Sequence, residues 1–282
     1  MYPYKILGFT SLYSLCIIAG AIVCIFVVLP LILKKYNMSK KGIDFYQTLG
    51  LVAIALGFGG AWLFQLFYDI IGYGWKWPWT ADPSYTGPGI TFLGGLITGA
   101  ATFLLGARFI AKPEVRKEMW IILRAFGPCV AIAHAFGRLG CFFAGCCYGV
   151  ETDGVLGMMF PEHAHKVLPT QLIEAIFLFA LFAVLFLFTD KSMLVYLFSY
   201  SIFRFTLEFF RGDERAGSTS DFVSSLSPSQ YLCLAMFVIA CILLYFDITK
   251  GMFKRYVPPA PPEESGETDE AVPAEEAGIT QN

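Results

Sequence analysis

Apolar runs long enough to cross a lipid bilayer recur along this chain, and they restrict its fold more than any other feature. A spanning helix needs about 20 mostly apolar residues. Seven such runs can be drawn: Ser11–Leu33, Phe45–Ile71, Gly89–Ile110, Trp120–Phe136, Pro169–Phe188, Met193–Phe210 and Ser229–Phe246. The fourth and sixth are short. In hydrocarbon every backbone N–H and C=O must be bonded within the segment or within a closed barrel, and runs of this length satisfy that as helices. The expected fold is therefore an all-α membrane protein with seven transmembrane helices. Only 15% of the residues are charged, against roughly 25% in soluble domains, which excludes an ordinary water-soluble core. The first run is too long for the apolar core of a signal peptide, and Lys34 and Lys35 follow it. It is expected to remain as a helix.

The basic residues orient the bundle. Lys34, Lys35, Lys40, Lys41, Arg108, Lys112, Arg116, Lys117, Lys191, Lys250, Lys254 and Arg255 fall on one side. Lys5, Lys76, Arg138, Lys166, Arg211 and Arg215 fall on the other. The richer side is expected to be cytoplasmic, with the N-terminus outside and the C-terminus inside. The formal charge of −2 conceals a division. From Val257 onward there are seven acidic residues, five prolines and no Lys or Arg. Such a segment buries too little apolar surface to fold. Residues 1–256 are read as one transmembrane domain and residues 257–282 as a disordered acidic tail. No internal repeat of fixed period is evident.

The stretch His134–Gly149, HAFGRLGCFFAGCCYG, sets an arginine, three cysteines and four glycines beside the spanning segments. An arginine at a membrane surface is costly unless an anion meets it, and a phospholipid phosphate is the anion at hand. Tyr200, Arg204, Glu208 and Arg211 follow at spacings of 4, 4 and 3, so they share one helix face. Facing lipid, that stripe would be expensive. A wet cavity in the bundle accounts for it better than a self-neutralising Arg204–Glu208 pair. Glu174, with Gln171 nearly one turn before it, lies early in the fifth run. The expected topology brings Arg138, Glu174, Arg204 and Glu208 to one depth in the outer leaflet. Two guanidinium forks suit a phosphodiester. A nearby carboxylate can act as a general base or hold an arginine in place. Arg124, near the cytoplasmic end of the fourth run, is expected to snorkel and to be structural.

Gly87, Gly89, Gly94, Gly95 and Gly99 bare one side of the start of the third run. Gly95 and Gly99 form a small-xxx-small pair for helix packing, and a glycine pair near the outer interface also leaves room for a headgroup. Trp75, Trp77 and Trp79 suit the headgroup belt. The loop from Cys141 to Leu168 is expected to be the longest between spans, and long ordered loops tend to carry function. Five of the eight cysteines (Cys16, Cys24, Cys129, Cys233 and Cys241) read as small apolar packing residues. Cys141, Cys146 and Cys147, with His163 and His165 downstream, leave packing, a disulfide, zinc binding and a redox role open. Their C-x4-CC and H-x-H pattern is not a standard zinc spacing.

Several of these motifs together resemble the prolipoprotein diacylglyceryl transferase family. GRLGCFFAGCCYG (137–149) is similar to its glycine-arginine signature, close to GRxGNFxNGExxG. PTQLIEA (169–175) resembles its HPSQLYEA element, YSIFRFTLEFFRGD (200–213) its outward-running helix with an Arg…Glu…Arg pattern, and LSPSQ (226–230) the start of its last helix. The matches follow the family's order over most of residues 10–246. The resemblance implies a bacterial cytoplasmic-membrane enzyme that moves a diacylglyceryl group from phosphatidylglycerol to the lipobox cysteine of a preprolipoprotein. It implies that Arg138 and Arg204 grip the lipid phosphate, that Glu208 and Glu174 orient the arginines or polarise the headgroup, and that Gly149 allows a tight turn. Tyr200, Arg211, Gly94, Gly95, Gln171 and Tyr13 would line the substrate site. No cofactor and no nucleic-acid partner are implied.

The chain departs from the family pattern at positions that bear on the chemistry. Leu93 stands where a histidine is usual, Cys141 replaces the signature asparagine, and Cys146 replaces the signature glutamate. His134, one turn before Arg138, is a candidate stand-in for the histidine. These departures keep a second reading open: a divergent paralogue with another acceptor or lipid, or a lipid-binding, redox or metal protein using the cysteines. A small-solute transporter fits less well, because the polar cluster is placed to one side of the midplane.

Overall fold

The computed structural model describes residues 11–73, 91–161, 163–188, 190–212 and 226–251. Trp75, Trp77, Trp79, Gly87, Gly89 and the acidic tail lie outside the described residues, as does the side chain of Leu93.

The chain begins with α1 (Leu12–Ile22), which passes through a π-helical stretch (Val23–Val28) into α2 (Leu29–Lys35) without a break. Ser11 caps it, its hydroxyl accepting the Ser14 N–H at 3.3 Å. The widened turns run up to Pro30, whose ring would press on the carbonyl four residues earlier in a regular α-helix. Next come α3 (Lys40–Tyr73), α4 (Phe92–Leu105) with a π-helical extension (Gly106–Ile110), α5 (Pro113–Lys117) and α6 (Met119–Ala144). A short hairpin, β1 (Met158–Met159) and β2 (Lys166–Val167), precedes α7 (Thr170–Phe188), α8 (Ser192–Glu208) and α9 (Pro228–Lys250). β1 and β2 pair antiparallel, Met158 opposite Val167. Ser227 and Gln230 close a capping box at the start of α9, and Gly251 ends it at φ 62.

Five stretches are long and apolar enough to cross a membrane: Leu12–Lys35, Lys40–Phe67, Arg124–Ala144, Thr170–Phe188 and Ser229–Thr249. Two of the seven expected runs fall short of that measure. Gly94–Ile110 is apolar but shorter. α8 has 17 residues and carries Tyr196, Tyr200, Arg204 and Glu208 at intervals of one turn, which lowers its hydropathy. The fourth run is longer than expected. α6 continues past Phe136 to Ala144, so Arg138 and Cys141 are helical, and the loop begins at Gly145, which ends the helix at φ 75. Glycines on both helices allow a close crossing of α1 and α6. A Cβ on Gly140 would stand 3.2 Å from the Tyr13 carbonyl oxygen, and one on Gly20 2.7 Å from Phe136 Cβ.

Large apolar side chains cover the outside. Phe26, Leu63, Ile110, Phe188 and Ile248 are all more than half exposed, an arrangement that water penalises and hydrocarbon does not. Inside, one cluster centres on Leu33, Tyr46, Ile121 and Ala125. A second joins α6, α7 and α8 through Ala131, Ala135, Leu178, Leu181, Tyr196 and Tyr200.

Polar contacts tie the helix ends together on one side. The Tyr36 hydroxyl donates to Asp190, Lys191 pairs with Asp247 at 2.5 Å, and the Ser39 N–H donates to Glu118 at 3.1 Å. Arg124 is 5% exposed, and its guanidinium lies 5.0 Å from the ring centre of Tyr36, just past the end of the first spanning stretch, a packed structural group.

Candidate active site

Three helices deliver the polar residues singled out from the spacing. Glu174 enters from the first turns of α7 with no exposed surface. Its Oε1 is the centre of the cluster. Arg138 of α6 places Nε 3.0 Å from it, and Arg204 of α8 places Nε 3.9 Å from it. The Tyr200 hydroxyl donates to the same oxygen at 2.8 Å. Arg204 also pairs with Glu208 at 2.5 Å, and Arg211 approaches Glu208 at 3.7 Å. The cluster thus holds three guanidiniums against two carboxylates. That composition leaves a net positive site suited to an anionic group.

His134 belongs to this cluster. Its Nδ1 is 3.2 Å from the Tyr196 hydroxyl, and its Nε2 is 3.4 Å from the Tyr200 hydroxyl and 3.8 Å from Glu174. Gln171 is 1% exposed. Neither its amide nitrogen nor its amide oxygen meets a hydrogen-bond partner among the described residues, and the same holds for Glu174 Oε2. Tyr13 lies beside Gly140, two residues beyond Arg138 on α6.

Two contributors were not singled out from the sequence. Tyr196 sits one turn before Tyr200 and extends the same stripe, so the period of four could have found it. Ser229 accepts a hydrogen bond from Arg204 at 3.3 Å and lies inside the LSPSQ stretch.

Other expectations need correction. Gly94 and Gly95 face α3, not the arginines. A Cβ on Gly94 would stand 2.4 Å from Phe64 Cβ, and one on Gly95 3.2 Å from the Gly57 carbonyl oxygen. Gly149 does not make a turn. It forms an antiparallel bridge with Arg211, and a Cβ there would stand 2.5 Å from the Phe210 carbonyl oxygen and 2.8 Å from Thr170 Cγ2. Its role is close approach, which fastens the loop after α6 to the end of α8. The eight cysteines are free thiols, so of the alternatives open for Cys141, Cys146 and Cys147 the disulfide is not formed. His163 packs edge-on against Tyr148 with ring centres 4.0 Å apart, and His165 is exposed. Among the described residues the group with metal-ligand spacing contains Cys141, Cys146 and Cys147 but neither histidine. Hydrogen bonds with Cys141 and Cys146, aided by Arg211, hold the Cys147 thiol well below the ordinary thiol range.

Residues 6–246 match the family described as prolipoprotein diacylglyceryl transferase. The chain is 30% identical over 248 residues to a phosphatidylglycerol–prolipoprotein diacylglyceryl transferase of Clostridium tetani, covering 81% of this chain and 92% of that protein. It is 35% identical over 187 residues to phosphatidylglycerol–prolipoprotein diacylglyceryl transferase 2 of Clostridium perfringens, covering 60% and 67% respectively. A phosphatidylglycerol–prolipoprotein diacylglyceryl transferase of Chlorobaculum tepidum is 30% identical over 229 residues, with 73% and 76% covered. The matched residues take in the whole polar cluster, four of the five spanning stretches, and the fifth as far as residue 246. This multi-pass helical membrane protein belongs to the prolipoprotein diacylglyceryl transferase family.

Proposed function

We propose that this protein transfers a diacylglyceryl group from phosphatidylglycerol to the lipobox cysteine of a prolipoprotein. The observation that carries the reading is the convergence of Arg138 and Arg204, from different helices, on one oxygen of Glu174. The two forks are thereby fixed beside each other before any lipid arrives, so little ordering remains to be done at the moment of binding.

In the reaction, the thiolate sulfur forms a bond to the glyceryl carbon. The bond from that carbon to the phosphate oxygen breaks, and glycerol phosphate leaves with the electron pair. Arg138 and Arg204 would bind the phosphate and stabilise the charge that grows on the leaving oxygen. Glu174 and Glu208 are positioning residues on this reading. Glu174 already holds Arg138 and accepts from Tyr200 through Oε1, which suits orientation better than proton abstraction. His134 and Tyr200 flank the same carboxylate, and the buried amide of Gln171 offers a donor and an acceptor to headgroup hydroxyls.

The topology we propose counts seven spans, with the helix ending at Ile110 and α8 as the two short ones. The N-terminus faces out and the C-terminus lies in the cytoplasm of a bacterial cell, with residues 1–256 in the cytoplasmic membrane and 257–282 an unfolded acidic tail. The contacts among Tyr36, Asp190, Lys191 and Asp247 gather basic segments at one end, which supports that orientation. Membranes containing this protein, given labelled phosphatidylglycerol and a lipobox peptide, should yield a thioether-linked product. A peptide with serine in place of cysteine should yield none. No product beside an active family member would defeat the proposal.

A further inference from the structure

The three cysteines after Arg138 take no part in the chemistry above. The Sγ atoms of Cys141, Cys146 and Cys147 lie within 4.8 Å of one another, and the Cys146 thiol donates to the Cys141 carbonyl at 3.7 Å. The backbone is arranged to produce this grouping. α6 carries Cys141 into its last turn, and Gly145 reverses the chain at φ 75. Cys147 then adopts φ 65, a left-handed conformation that a non-glycine residue keeps only where the surroundings impose it. The Thr170 hydroxyl fixes this turn by donating to the Cys147 carbonyl at 2.8 Å.

We infer that Cys141, Cys146 and Cys147 form a zinc site, in which three thiolates hold one Zn(II) and a fourth position stays open. Tetrahedral zinc with Zn–S bonds of about 2.3 Å places its sulfurs about 3.8 Å apart. The thiols therefore need to draw together by no more than about 1 Å. Thiolate ligands select thiophilic ions over magnesium or calcium. Three thiolates around Zn(II) carry a net charge of −1, and Arg211, which hydrogen-bonds Cys147, offsets it. Two thiols would suit a redox pair. A third in mutual contact with both is what a metal requires and a disulfide does not.

Three protein ligands with an exchangeable fourth is the arrangement of catalytic zinc, whereas structural zinc is closed by four. Cys146 is exposed, so an external ligand can reach the centre. The use of that position rests on the transferase reading. The acceptor cysteine binds there as a thiolate, its proton passing to solvent, and its sulfur then attacks the glyceryl carbon as described above. The cluster adjoins the lipid-binding arginines, since Cys141 lies three residues beyond Arg138 on α6.

The test uses full-length protein purified in detergent. Elemental analysis should find about one zinc per chain. Cobalt(II) exchanged for zinc should give the thiolate-to-cobalt charge-transfer band and intense visible bands of a tetrahedral thiolate site. Cys146→Ser and the triple Cys141→Ser, Cys146→Ser, Cys147→Ser variant should lose both the zinc and the bands. Monodisperse elution of the single variant, whose side chain is exposed, controls for folding. A lipobox peptide should shift the visible bands, and its serine counterpart should not. Wild-type protein that holds no zinc and takes up no cobalt overturns the site. Equal metal in the serine variants, copper in place of zinc, or an intact disulfide among these thiols also overturns it. Bands that ignore the cysteine peptide overturn the role of the open position alone. Zinc bound by a protein that transfers nothing refutes the transferase reading and leaves the site standing. Transfer at the wild-type rate by the zinc-free triple variant removes the metal from the reaction and leaves the transferase reading intact.

Discussion

Arg138 and Glu174 form an ion pair of 3.0 Å around a carboxylate with no exposed surface. Removing one partner of a buried pair leaves the other charge uncompensated, at about 3–5 kcal/mol. Glu174→Ala should therefore lower the thermal midpoint of the detergent-solubilised protein as well as abolish transfer. Glu174→Gln keeps the shape and an acceptor for Tyr200, so it should fold better. It should still lose about 100-fold in rate, about 2.7 kcal/mol of barrier, because Arg138 then loses the charge that holds it and Arg204 keeps Glu208 alone. Rates corrected for the folded fraction would test this. A glutamine variant with full activity would show that the carboxylate is not what orients the arginines.

Arg138→Lys and Arg204→Lys retain the charge and lose the planar fork. Each should reduce transfer by about 100-fold or more if a phosphodiester is gripped bidentately. Arg124→Ala should behave in the opposite way. That guanidinium packs on Tyr36, remote from Glu174 in its contacts, so the variant should lose stability while the folded fraction keeps its rate. Steady-state transfer from labelled phosphatidylglycerol, measured beside thermal unfolding, separates the two. Equal losses of rate in all three variants would contradict the division of roles.

Much of the polar cluster was legible because helical spacing determines which side chains share a face. Tyr200, Arg204 and Glu208 form a stripe at helical spacing, and Glu174 stands out as an acid inside an apolar run. What spacing does not encode is the meeting point of separate helices. That Arg138, Arg204 and Tyr200 all reach one oxygen of Glu174 is a result of packing between α6, α7 and α8. The full length of α6 is not legible in the sequence for a related reason. Gly137 and Gly140 lower helix propensity locally, while the crossing with α1 at Gly140 depends on tertiary contact. Gly149 shows the same limit, because its bridge to Arg211 joins residues distant in the chain.

Gly149 and Gly137, two of the four glycines of the arginine signature, give a paired test of close approach. A methyl group on Gly149 would meet the Phe210 carbonyl oxygen at 2.5 Å and Leu168 Cβ at 2.9 Å. The first is backbone and the second a Cβ close to it, so neither can yield cheaply. Gly149→Ala should displace Arg211 from Glu208 and cut transfer by about 10-fold or more, in line with the roughly 1–3 kcal/mol of overpacking. A Cβ on Gly137 meets nothing within 4 Å. Gly137→Ala should leave the rate unchanged and add stability, because alanine favours the helix by about 1 kcal/mol. If the two variants have the same rate, the bridge does not position Arg211.

The contacts at the opposite end should matter for stability and not for chemistry. Burial, reinforced by the hydrogen bond to Asp190, raises the Tyr36 phenol from 10.0 to about 12. A raised phenol means that the folded state prefers the neutral form. Its contribution is complete below pH 10 and is lost as the pH climbs from 10 toward 12. Tyr36→Phe keeps the ring under Arg124 and removes the donor to Asp190. The expected cost is about 1 kcal/mol at neutral pH, with the rate of transfer unaltered. The difference in thermal midpoint between wild type and Tyr36→Phe should shrink across that alkaline window. A gap that stays constant would mean that the hydroxyl's bond to Asp190 does not stabilise the fold.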